Sequence, residues 1–123
     1  MTSSIAAITI DCDNALSLSA FWAGVLQVEA DPDTRGSGEF FQSIGQSAEG
    51  WVGPMMMFIK VPEAKTAKNR VHLDLATPDR LGEVARLTGL GAAVVHDKDE
   101  WGVTWTTLTD PEGNEFCVSD SPH

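Results

Sequence analysis

The chain of 123 residues contains no tyrosine, only two cysteines, and only eight lysines and arginines against 18 aspartates and glutamates. A formal net charge of -10 repels phosphate backbones. No stripe of basic residues gathers enough positive charge to displace counterions from DNA or RNA, which argues against a nucleic-acid partner. Cys12 and Cys117 lie in separate strand-like segments without the spacing of a zinc site. Reduced thiols in a cytoplasmic protein are therefore expected. No apolar run approaches the roughly 20 residues that span a bilayer, and Met1–Ala7 has neither the basic start nor the long apolar stretch of a signal peptide. No membrane partner is expected.

What is present is an ordinary globular balance of 42% hydrophobic and 21% charged residues, enough for one domain over residues 1–123 without disulfide or metal staples. Ile5–Cys12 alternates as a strand does, with Ile8, Ile10 and Cys12 on one face and Ala7, Thr9 and Asp11 on the other. Asp13 or Asn14 can cap the following segment, where Leu18, Phe21, Trp22, Val25 and Leu26 recur at helical spacing ahead of Pro32. Gly/Asp-rich turns then separate strands expected at Val28–Ala30, Glu39–Ile44 and Met55–Val61. The first module, residues about 4–61, thus reads βαβββ.

After the loop Pro62–Asn69 the order repeats over residues about 69–120. Arg70–Ala76 reads as a strand, and Pro78 opens a helix bearing Leu81, Val84, Leu87 and Leu90 before Gly91 breaks it. Strands are expected at Ala92–His96, Val103–Thr109 and Glu115–Ser119, divided by turns at Asp97–Gly102 and Asp110–Asn114. The repeat is visible in residues too, since Ile8-Thr9-Ile10-Asp11-Cys12 and Val71-His72-Leu73-Asp74-Leu75 share one pattern. In each, the apolar set packs beneath the helix, with Ile8, Ile10, Val71 and Leu73 on that side, and leaves Thr9 and Asp11, or His72 and Asp74, on the opposite face. The predicted class is α+β: two βαβββ modules forming curved mixed sheets around a cleft, with the helices outside.

Several segments carry a family resemblance: Asp11-Cys12 followed by Phe21-Trp22; Val61-Pro62-Glu63 with Lys65 and Lys68; Asn69-Arg70-Val71-His72-Leu73-Asp74-Leu75; and Asp110-Pro111-Glu112-Gly113-Asn114-Glu115-Phe116-Cys117-Val118. With them the chain resembles the vicinal-oxygen-chelate superfamily of glyoxalases, bleomycin-resistance proteins and extradiol dioxygenases, in its glyoxalase-like subgroup. The resemblance implies a pocket for a small organic molecule in a homodimeric protein. It also implies a test, because metal-dependent members hold one divalent ion with about four side chains, usually His and Glu, from the first and last strands of each module. Here His72 matches, but its counterpart is Ala7 or Thr9, the last strand of module one is Met55-Met56-Met57-Phe58-Ile59, and the usual glutamate position falls on Cys117. The expectation is therefore no metal cofactor; a partial divalent site would draw on His72, Glu115 and Cys117, with Asp11 as a further donor.

His72 is the candidate acid or base, or a hydrogen-bond donor to ligand, set against a histidine satisfied by Asp74, Thr9 or backbone. Asp11 and Asp74 suit structural pairing across the joint between modules, with Arg70 or a backbone amide, and Cys117 suits packing rather than nucleophilic attack. Trp51 and Trp101 fall in probable loops where a ring can close over a flat ligand or enter a dimer interface, while Trp105 is in a strand and Trp22 in the core. Met57 belongs to an adaptable apolar run able to line the cleft. Thr9, Asp11, Trp51, Met57, His72, Trp101, Trp105, Glu115 and Cys117 are thus the candidate ligand-binding residues. Lys65, Lys68 and Arg70 form one basic cluster, read first as solvated loop and second as an anion-attracting patch. The functional expectation is binding of an aromatic or apolar metabolite or antibiotic, with a lyase or isomerase that uses His72 as the alternative; glyoxalase I itself is disfavoured by the missing ligands.

Overall fold

The computed structural model describes residues 2–120, so residue 1 and residues 121–123 of the expected domain lie outside it. The chain divides between Ala64 and Lys65 into two compact units, a boundary that falls inside the expected loop Pro62–Asn69. Each unit combines one small mixed sheet with one helix, the α+β class read from the sequence.

In the N-terminal unit, β1 (Ala7–Cys12) leads into α1 (Ala15–Leu26), followed by β2 (Phe41–Ile44) and β3 (Met55–Lys60). The central strand β3 is parallel to β1 and antiparallel to β2; a parallel pair needs a long crossover, which α1 supplies. Of the two capping candidates Asn14 serves, its side chain accepting the Ser17 N–H at 3.0 Å. The helix stops at Gln27, which adopts a left-handed φ of 55° and returns its N–H to the carbonyls of the last turn, so termination precedes Pro32. Leu18, Phe21, Trp22 and Val25 are all buried and face a sheet whose Ile44, Met56 and Phe58 are buried too. Trp22 is only 2% exposed and meets Phe21 edge-to-face at 5.6 Å.

One expected strand is reduced. Val28–Ala30 forms an irregular connection, tied to β2 just beyond its end by the Asp31 N–H to Ser43 carbonyl bond of 2.9 Å. The left-handed Gln27 on one side and Pro32, which has no N–H, on the other leave only four residues between them, too few for a ladder. Asp31 becomes an anchor instead. Its buried carboxylate accepts from the Ser43 hydroxyl at 2.6 Å, from the Gln46 N–H at 3.0 Å, and from both the N–H and hydroxyl of Ser47 at 2.9 Å.

In the C-terminal unit, β4 (Leu73–Thr77), α2 (Arg80–Leu90), β5 (Ala93–Glu100), β6 (Val103–Thr109) and β7 (Glu115–Asp120) form a sheet of order β4-β7-β6-β5. The β4–β7 pair is parallel and the other two pairs are antiparallel. Asp79, rather than Pro78, opens α2 by accepting the Gly82 N–H at 3.1 Å, and Gly91 caps it at φ 121°. Asp110 organises the β6–β7 turn, accepting from the Glu112 and Asn114 backbone N–H groups at 2.9 and 3.0 Å.

Two expectations fail in this unit. Val71 is 77% exposed rather than beneath the helix, because pairing with β7 begins only at Leu73, opposite Phe116. The segment expected to turn at Asp97–Gly102 instead stays paired to Glu100, opposite Val103. The turn itself is the dipeptide Trp101-Gly102, with φ of 54° and 74°, the signs a two-residue type I′ hairpin requires.

Candidate functional site

Alternation along the strands of the C-terminal unit sends Leu108, Phe116 and Val118 to the buried helix side and builds a concavity of about 670 Å³ on the other. Lateral register defines its floor. Asp74 on β4 stands opposite Cys117 on β7, Cys117 opposite Thr107 on β6, and Thr107 opposite His96 on β5. The next row places Ser119 opposite Trp105. His72, just before β4, and Glu115, at the start of β7, border one end; Trp101 and Val103 border another.

His72 Nε2 lies 3.4 Å from Asp74 Oδ1, so the partner of Asp74 is the histidine two residues earlier. The His72, Asp74 and Cys117 donor atoms all lie within 4.8 Å of one another. Burial pushes the Cys117 thiol above its ordinary range; the Thr107 hydroxyl, 3.4 Å from Sγ, opposes that shift, and the nearby Asp74 and Glu115 carboxylates add to it. The thiol is therefore protonated at neutral pH and is no ready nucleophile.

Lys68 is engaged at the rim. Its ammonium donates to Glu115 at 2.8 Å and holds that carboxyl below its ordinary range. Asn69 clamps the same place, accepting the Glu115 N–H at 3.0 Å and donating to its carbonyl at 3.2 Å. Lys65 donates to the Ala67 carbonyl. Lys68 and Asn69 thus fasten the start of β7, while the donor atoms that lie close together are those of His72, Asp74 and Cys117.

Trp101 and Trp105 stack with centroids 6.0 Å apart and an 11° interplanar angle. Trp101 is 87% exposed and sits at positive φ, a conformation a bulky side chain adopts at a cost of about 1–3 kcal/mol. A strained residue that presents a bare ring beside polar groups is a reasonable ligand platform.

The remaining candidates belong to the N-terminal unit. Thr9 and Asp11 are exposed on β1, and Met57 is the register partner of Thr9 on β3. Neither Thr9 nor Met57 carries an imidazole or a carboxylate; Asp11 is the carboxylate on β1, opposite Ile59. Trp51 serves its own loop: its indole N–H donates to the Pro54 carbonyl at 3.2 Å, and its ring lies so close to Gly45 that a Cβ there would sit 2.5 Å from it.

Sequence reasoning missed His96, Val103, Thr107 and Ser119. Period-two counting from Cys117 and Trp105 yields the last three. His96 lies inside the expected strand, but an irregularity between Val94 and His96 shifts the register, so alternation from Val94 does not assign its face.

The sequence signature described as the glyoxalase-like domain matches residues 7–119. No curated protein matches the chain. Among solved structures, it is similar to a glyoxalase/bleomycin resistance protein/dioxygenase family enzyme from Burkholderia phytofirmans, with TM-score 0.74, 14% identity, and 96% of this chain and 98% of that one covered. A fosfomycin resistance protein from Listeria monocytogenes, a mutant complexed with Mn(II) and 1S,2S-dihydroxypropylphosphonic acid, gives TM-score 0.74, 13% identity, and coverage of 97% and 90%. A lactoylglutathione lyase from Agrobacterium tumefaciens gives 0.65, 17%, 98% and 95%. At these identities the likeness is one of fold. Among the described residues no helix is long and apolar enough to cross a membrane.

Proposed function

The chain belongs to the glyoxalase-like domain family, and from that premise we propose that the concavity of its C-terminal unit binds an aromatic or apolar small molecule, such as a metabolite or antibiotic, without needing a divalent metal to hold it. The observation that carries this reading is the exposed, strained Trp101 stacked on Trp105 in a concavity that His72 also lines. A flat ring placed on that platform gains dispersion and buried area, while its polar group meets the imidazole. At the rim Lys68 neutralises Glu115.

A second reading rests on the His72–Asp74 approach of 3.4 Å. A carboxylate beside an imidazole orients it, which suits proton transfer in a lyase or isomerase. We further propose a cytoplasmic homodimer. Cys12 and Cys117, neither of them in a disulfide, fit a reducing compartment, and exposed Leu81 is apolar surface that a second copy can cover. Sedimentation at micromolar concentration reads the assembly; a strict monomer ends that part of the proposal.

The test of ligand binding is titration with 2-naphthoate in the presence of EDTA, read by tryptophan fluorescence. Saturable quenching is expected, weakened about tenfold by His72→Ala and by Trp101→Ala. Binding that disappears in EDTA and returns with Mn2+ would overturn the metal-free reading. Quenching unchanged in both variants would remove the site.

A further inference from the structure

We propose that the concavity selects an organic cation, a flat aromatic ring that carries an ammonium group on a short arm; this rests on the reading of the concavity as a pocket for an aromatic molecule. The rings supply the first reason. An indole face is negative above its plane and attracts cations, and Trp101, stacked on Trp105, presents such a face at 87% exposure.

The charges on the same face of the sheet have a matching sign. Lys68 and Glu115 are taken up by one another at 2.8 Å. Lys98 and Glu100 on β5, register partners of Trp105 and Val103, offset one another as well. Asp74 is left over: its side chain is 71% exposed and meets the His72 imidazole at 3.4 Å, with no lysine or arginine paired to it among the described residues. With histidines counted as neutral, one carboxylate is therefore in excess beside the rings, in a chain of formal net charge -10. That field draws cations in and turns anions away.

Register sets the size of the cation. Asp74 on β4 and Trp105 on β6 are separated by β7, about 10 Å across the sheet, and by two residues along it, about 7 Å. Side chains reach inward from both ends, so a bicyclic ring over the tryptophans with an arm of about two carbons suits the interval. Between them stands Ser119, opposite Trp105. Its hydroxyl donates to the Leu75 carbonyl at 3.5 Å and so meets a ligand with its lone pairs, which accept an ammonium N–H.

Three probes of equal reach, 2-(2-naphthyl)ethylammonium, 2-(2-naphthyl)ethanol and 2-naphthylacetate, are titrated calorimetrically into the full-length protein at neutral pH and low salt. The ammonium should bind about tenfold more tightly than the alcohol, with the acetate weakest. Asp74→Asn should remove most of the ammonium preference and leave the alcohol unchanged. Asp99→Asn, which takes the same charge from the other face of β5, should leave the preference intact, and about 0.5 M NaCl should narrow it. Equal binding of the three probes, tightest binding of the acetate, or a preference that survives in Asp74→Asn would overturn the cation while the aromatic pocket stands. Binding of none of them by the wild type would remove the pocket and the cation together. If Asp74→Asn fails to fold by circular dichroism, the order of ammonium and acetate in the wild type decides.

Discussion

The helices of the two units bury themselves to different depths. α1 has seven buried residues and α2 has one, Leu87. Spacing explains the contrast. Leu18, Phe21, Trp22 and Val25 follow the i, i+3, i+4, i+7 rule and fall within one narrow sector of a helix that turns about 100° per residue. Leu81, Val84, Leu87 and Leu90 are each three apart, so every step drifts by about 60° and the first and last face opposite sides. Leu81 is accordingly 71% exposed. Apolar content at roughly helical intervals is not enough; the sector decides burial. The lesson places the rigid core in one unit and the open, chemically equipped face in the other.

This contrast can be broken most forcefully at its deepest point. Trp22→Ala should cost about 3–5 kcal/mol in urea denaturation, since the cavity opens where the unit has no slack. A loss below about 1 kcal/mol would mean that α1 is less tightly packed than its burial indicates.

Asp31 comes next. Its hydrogen bonds hold the carboxyl below the ordinary 3.8 despite the opposing effect of burial. A depressed folded value contributes stability above pH 3.8 that is lost as pH falls through that value. Asp31→Asn should cost about 1–3 kcal/mol at pH 7 by leaving donors poorly matched. The gap to wild type should narrow on acidification below pH 4; a gap independent of pH would contradict the assignment.

Trp101→Gly should move in the other direction. Relief of the left-handed backbone should add about 1 kcal/mol of stability while naphthoate binding falls, which separates strain from structural need. Destabilisation by this variant would mean that the Trp101–Trp105 stack supports the hairpin. The smallest effect is expected at Leu81→Ser, within about 0.5 kcal/mol; a larger loss at concentrations where the protein is dimeric would place Leu81 in the interface.

The α+β class and four local features are legible in the sequence: alternation at Ile8–Cys12, the cap at Asn14, the Asp110–Asn114 turn and the break at Gly91 are each determined within a few residues. The β5–β6 hairpin was not legible, because tryptophan at the first position of a type I′ turn contradicts the preference for Asn, Asp or Gly that signals one. In the site, His72 and Cys117 were readable from the repeat and the turn. Asp74 became their companion only through register, a long-range property that fixes which residue of one strand lies across from another. His96 required knowledge of the irregularity before it.

That irregularity at Val95 acts as a parity switch for the rest of β5. Val94 pairs with Leu108, and the next paired residue is His96, opposite Thr107. One extra amino acid therefore turns His96 toward the concavity and Asp97 toward Thr106 and Arg80, which bond its carboxylate. Loss of a single codon, that of Val95, would leave every flanking pair able to form, whereas losing any one of the four residues from His96 to Asp99 would exchange the two faces upstream or downstream of the gap. Val95 is thus a place where the gene can change length by one residue without rewriting which side chains line the concavity.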